Sequence, residues 1–135
     1  LTGIFGLKNM SGVGISYGAE RIYDVLNELN LFDNLITEPV HVLFVNFGKE
    51  DEKYALAGLR AVRNAGHTAE IYPDAAKIGK QMSYANAKAI PFVVIAGENE
   101  RKSNTYTFKD MTAGTQAQLT LESLINTLHL KFDRR

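Results

Sequence analysis

Cysteine is absent from the 135 residues. Disulfides, thiolate metal sites and cysteine nucleophiles are therefore excluded, and a reducing compartment is compatible. No apolar run reaches the roughly eighteen residues that a membrane-spanning helix needs. The first residues are rich in glycine and lack the basic-then-apolar order of a signal peptide. Net charge is missing too: 15 basic and 15 acidic residues give a formal +0. Indiscriminate nucleic-acid binding runs on bulk positive charge, so this chain can read RNA only through a local basic patch. Histidine is sparse. His41, His67 and His129 stand at no metal-ligand spacing from one another or from a carboxylate. Structural or solvated roles are expected for all three, with no metal site. Internal repeats and low-complexity tracts are also lacking.

What is present suits one compact α/β domain with a small appendage, since 45% of the residues are hydrophobic. The chain opens on Leu1 with a segment that reads as the inside of a fold, so a piece of a longer protein is expected. GVGISYG (12–18) alternates like a strand, with Val13, Ile15 and Tyr17 on one side and Gly12, Gly14, Ser16 and Gly18 on the other. A helix should follow, because Ile22, Val25, Leu26 and Leu29 fall at helical spacing. DNLITEP (33–39) reads as a linker. Beyond it, strands are expected at 41–47, 68–72, 91–96 and 104–109, and helices at 50–65, 75–89 and from the capping Thr120 to about Leu128. Gly66 stands where a helix-ending glycine belongs. Strand–helix–strand–helix–strand at short spacing predicts a mixed, largely parallel sheet flanked by helices. The expected parts are residues 1–32, the linker, a domain at 40–130 and a tail at 131–135.

Three constellations could carry chemistry. The face made of Gly14, Ser16 and Gly18 is bare. It either packs closely against another backbone or accepts a flat ligand over which Arg21 could reach, since a guanidinium stacks on rings and pairs with phosphate. The glycine spacing is one residue too long for a dinucleotide fingerprint. The second constellation is the helix 75–89. Lys77, Lys80, Gln81, Tyr84 and Lys88 recur at three- and four-residue steps and can share one face. Lysines interleaved with an aromatic and amides could hold phosphates and stack or hydrogen-bond the bases of a single-stranded loop. A solvated helix face is the plain alternative. The third is GENERK (97–102), where Glu98 and Glu100 could accept from base edges or simply form a charged turn.

Two segments resemble a known family. GVGISYGAERI (12–22) looks like motif 3 of class II aminoacyl-tRNA synthetases, and LTGIFG (1–6) resembles what precedes it in histidyl-tRNA synthetases. KIGKQMSYANAKAIPFVVIAGENE (77–100) resembles the anticodon-binding domain of the histidyl enzymes, with EIYPD (70–74) and LTLESLINTL (119–128) also fitting. The resemblance implies an anticodon-binding α/β domain preceded by a strand–helix remnant of the catalytic core. It implies part of a histidine–tRNA ligase that uses histidine, ATP with Mg2+ and tRNA(His), homodimeric and cytoplasmic when complete. Arg21 would act on ATP as the catalytic residue, with Gly14, Ser16 and Gly18 making room for the adenylate. Lys77, Lys80, Gln81, Tyr84, Glu98, Glu100 and Lys109 would bind the anticodon. Motifs 1 and 2 are missing, so this piece alone is expected to be inactive and to hold no cofactor. A non-catalytic synthetase-like RNA-binding or regulatory module is the alternative. A flavodoxin-like binder would need a phosphate loop after the first strand, and NFGKE (46–50) is too poor in glycine and hydroxyls for one.

Overall fold

A computed structural model of the protein describes residues 14–32 and 39–132. The chain divides into two compact units, Leu1–Thr37 and Glu38–Arg135.

In the first unit, α1 spans Ala19–Glu28 and starts from Gly18, whose backbone is extended at φ −83° and ψ 100°. Residues 12 and 13 lie outside the described residues, and 14–18 form no strand. This corrects the expected strand. An extended segment becomes a strand only by pairing its backbone groups, and the described residues of this unit supply no partner strand. The helix forms where expected, but no residue in it is buried. Ile22, Val25 and Leu29 stay about half exposed or more.

The second unit is a five-stranded sheet in the order β2-β1-β3-β4-β5. Its strands are β1 (Val42–Phe44), β2 (Ala69–Ile71), β3 (Phe92–Ile95), β4 (Tyr106–Asp110) and β5 (Gln116–Leu119). Its helices are α2 (Lys49–Asn64), α3 (Ile78–Ala87), α4 (Glu98–Ser103) and α5 (Leu121–Phe132). Pairing is parallel between β1 and both β2 and β3, and antiparallel from β3 through β4 to β5. The mixed sheet is as expected, with its antiparallel part larger than the sequence implied. Neither β5 nor α4 was anticipated, and α3 starts at Ile78 instead of residue 75.

Strand alternation sends side chains to two separate cores. Val42, Phe44, Phe92, Val94, Tyr106 and Phe108 face α2 and α5, where Leu59, Val62, Leu124 and Leu128 meet them. Leu43, Val45 and Val93 face the other way, toward Tyr72, Ala85 and Ile90. Because both faces are covered, VLF and FVV read as unbroken apolar runs. Gly58 lets α2 approach the sheet, for a Cβ there would lie 2.6 Å from the Tyr106 ring. Gly66, at φ +89°, ends α2 as expected. The histidines gather around Phe132: His41 stacks on it at 3.9 Å, and His67 lies 4.8 Å from His129.

Candidate nucleic-acid interface

On the face of the sheet that α3 covers, the apolar core gives way to polar side chains. The register sets Lys109 beside Val93 and Thr107 beside Ile95, on the same face as α3. Gln116 and Gln118 continue those rows on β5 and are exposed. The side chains along this strip can donate and accept hydrogen bonds, and Lys109 adds a cation.

α3 adds the basic part. Lys77 stands at the residue before the helix, and Lys77, Lys80 and Lys88 are exposed. Tyr84 is half-buried, set edge-on to Tyr72 at 5.3 Å with the Lys88 ammonium 6.0 Å from its ring. The Glu70 carboxylate, hydrogen-bonded to the Tyr84 hydroxyl, raises that phenol above its usual range. Losing the proton would set a second negative charge beside the first.

The expected set is therefore not uniform. Lys77, Lys80 and Glu98 are exposed to solvent, and Tyr84 and Lys109 are partly so. Gln81 is a correction: it has no solvent exposure, so it is unavailable as an RNA contact. A 100° step per residue separates it from Lys80, and α3 turns its Gln81–Ala85 side to the core. Glu100 is half-buried, and each of its carboxylate oxygens accepts one bond within the fold. Its Oε2 accepts from the Gly97 N–H at 3.1 Å and its Oε1 from the Thr107 hydroxyl at 2.7 Å. The first of these closes a capping box, which is why GENERK is helical. Glu98 is free of such duty and pairs with Lys102 at 2.6 Å. The bond to that ammonium holds its carboxyl below the usual range.

Sequence reasoning missed Gln116, Gln118 and Asn46. The alternation in QAQL carries the signal for the first two. For Asn46 the signal is a polar residue closing an apolar run.

In the first unit, Ser16, Tyr17, Gly18, Arg21, Ile22 and Val25 line an open cavity of about 340 Å³. Among the described residues, nothing lies within 4 Å of where a Gly14 Cβ would stand, and the nearest atom to a Gly18 Cβ would be the Arg21 Cβ at 3.6 Å. Among those residues the space over both glycines is open, and Arg21 stands beside it. Among the described residues, no three His, Asp or Glu side chains are placed to hold a metal ion.

Residues 40–130 match the family model described as an anticodon binding domain. The chain is 54% identical over 125 residues to a histidine–tRNA ligase of Phocaeicola vulgatus, covering 93% of this chain and 28% of that protein. It is 50% identical over 128 residues to one of Christiangramia forsetii, covering 95% and 28%. The crystal structure of histidyl-tRNA synthetase from Nostoc sp. PCC 7120 superposes with a TM-score of 0.66 at 25% identity, over 84% of this chain and 28% of that one. The chain thus spans 28% of the length of these curated relatives.

Proposed function

The chain belongs to the anticodon-binding domain family, and from that premise we propose that residues 40–130 bind the anticodon region of tRNA(His) as part of a histidine–tRNA ligase. The observation that carries the reading is the polar strip of Thr107, Lys109, Gln116 and Gln118 lying on the sheet face that α3 covers, with Lys77 and Lys80 exposed at the start of that helix. Single-stranded loops are read by hydrogen bonds to base edges, by stacking and by cations on the backbone. The strip supplies the first, Tyr84 a face for the second, and Lys77, Lys80 and Lys109 the third. Glu98 adds an acceptor at the end of β3.

The complete ligase, a cytoplasmic homodimer in this reading, joins histidine to tRNA(His) while ATP is cleaved to AMP and diphosphate. Open space over Gly14 and Gly18 beside the Arg21 guanidinium fits an adenine nucleotide. Arg21 stacks on the base or meets a phosphate, and Ser16 adds a hydroxyl. Magnesium travels with the ATP phosphates and is assigned to none of these residues.

Binding of this chain to tRNA transcripts with histidine and exchanged anticodons tests the reading. Lys80→Ala and Lys109→Ala should each weaken binding and flatten its salt dependence by roughly 0.7 per lost contact on single-stranded RNA. Equal affinity for every anticodon would defeat the proposal. The chain alone should show no histidine-dependent ATP–pyrophosphate exchange.

A further inference from the structure

Three segments remote in sequence meet at the carboxyl end of β1, and two buried amides hold them there. Gln81 Oε1 accepts from the Asn46 N–H at 2.9 Å. Its Nε2 donates to the carbonyls of Asn46 at 2.8 Å and Ala76 at 2.7 Å. Both amide protons are thereby used. Asn46, 2% exposed, completes the arrangement. Its Nδ2 donates to the Tyr72 carbonyl at 3.1 Å, and its Oδ1 accepts from the Gly48 N–H at 3.0 Å. The end of β1, the residue after β2 and the segment entering α3 are fastened together.

An apolar side chain of similar length would avoid burying the Gln81 amide but would take its acceptor from the buried Asn46 N–H. A fully satisfied polar network adds a single specified geometry in return. The part it specifies is the start of α3, which has no side-chain cap of its own. Ala76 precedes Lys77 and Gln81 follows Lys80, so the bond between Ala76 and Gln81 brackets both lysines. A lysine is a point charge on a flexible stem and sets no direction by itself. Its placement comes from the backbone that carries it.

We propose that Gln81, with Asn46, is a positioning residue for RNA recognition: it fixes where Lys77 and Lys80 stand and touches no RNA itself. This rests on the anticodon-binding reading above. The test is a double-mutant cycle on the full chain with a tRNA transcript carrying a histidine anticodon. Gln81→Met keeps the length of the side chain and deletes all three bonds. It is made in the natural background and in Lys77→Ala/Lys80→Ala. Each variant is titrated with salt well below its own unfolding midpoint, so loss of folded protein does not enter. In the natural background, affinity should fall by about tenfold and the salt slope by up to about 1.4, two contacts at roughly 0.7 each. In the background without the lysines, Gln81→Met should add less than about twofold, because the contacts it positions are already gone.

An equal loss in both backgrounds, or an unchanged salt slope in the natural one, overturns the positioning role. An unchanged affinity in Lys77→Ala/Lys80→Ala overturns the assignment of this helix to RNA, and the positioning role with it. Should Gln81→Met fail to fold, Asn46→Ser is read the same way. It removes the bond to Tyr72 and leaves the backbone groups that meet Gln81. A smaller loss that still depends on the lysines supports the proposal, and one that does not overturns it.

Discussion

Gly58→Ala tests how tightly α2 is set against the sheet. In an open helix interior this change is favourable by about 0.8–1.0 kcal/mol, because alanine loses less backbone freedom. Here the new Cβ would stand 2.6 Å and 2.9 Å from Cε1 and Cζ of Tyr106, and 3.0 Å from Cε1 of Phe44. The Tyr106 ring cannot swing aside cheaply. It is 3% exposed. It lies stacked on Tyr54 at 4.6 Å with 6° between planes, and it meets Phe44 edge-on at 6.4 Å. Overpacking of this kind costs about 1–3 kcal/mol, and disturbing the aromatic pair adds about 0.5–1.5 kcal/mol. After subtracting the helix gain, a net loss of about 0.5–3.5 kcal/mol, centred near 2, is expected. In a unit of this size a loss of about 2 kcal/mol lowers Tm by about 8–16 °C. Thermal and urea unfolding followed by circular dichroism measure it, with the midpoint falling and the slope unchanged. Gly79→Ala is the control, since among the described residues nothing lies within 4 Å of its Cβ position, and it should be neutral or stabilising. A Gly58→Ala protein that melts at or above the natural temperature would refute the reasoning.

Asp110 accepts from the Thr112 and Ala113 N–H groups and from Lys131. The Ala113 N–H first, and then Lys131, hold its carboxyl below the usual range despite burial. Its contribution is therefore full above the unfolded value near 3.9 and is lost as pH falls through the lower folded value. Asp110→Ala should cost about 1–3 kcal/mol at neutral pH and reduce the acid dependence of stability, as denaturant titration from neutral to acid pH will measure. Gly66→Ala forces φ +89° on a side chain and should lower stability by about 1–2 kcal/mol in the same assay. Glu70→Gln removes the carboxylate that raises the Tyr84 phenol. Its ultraviolet titration should then shift to lower pH, and an unmoved curve would dissociate the two groups.

How much was legible shows in particular residues. VLFV and FVVI announced buried strands because a sheet covered on both faces requires apolar residues in succession. Gly66 marked the end of a helix because only glycine enters the left-handed region freely. The strand expected at 104–109 is present as β4, Tyr106–Asp110. GENERK was read as a turn; its helix depends on Glu100 returning to Gly97 and on Arg101 pairing with Asp51 at 3.1 Å. QAQL has little strand propensity of its own and is a strand because the turn through Gly114, at φ +68°, lays it along β4.

Residue spacing by itself determined the order of α1, β1, α2, β2, α3, β3, β4 and α5, the basic helix and the bare stretch before α1. Those follow from periodicity and local backbone preference, which neighbours in sequence carry. Only the tertiary structure decided which side of α3 faces inward. It made Gln81 a buried tie and Glu100 a helix cap, and it brought the glutamines of β5 onto the sheet face that α3 covers. A side chain's hydrogen-bond partners are set by segments far away in sequence. One residue's step around a helix is enough to move it from solvent into the core.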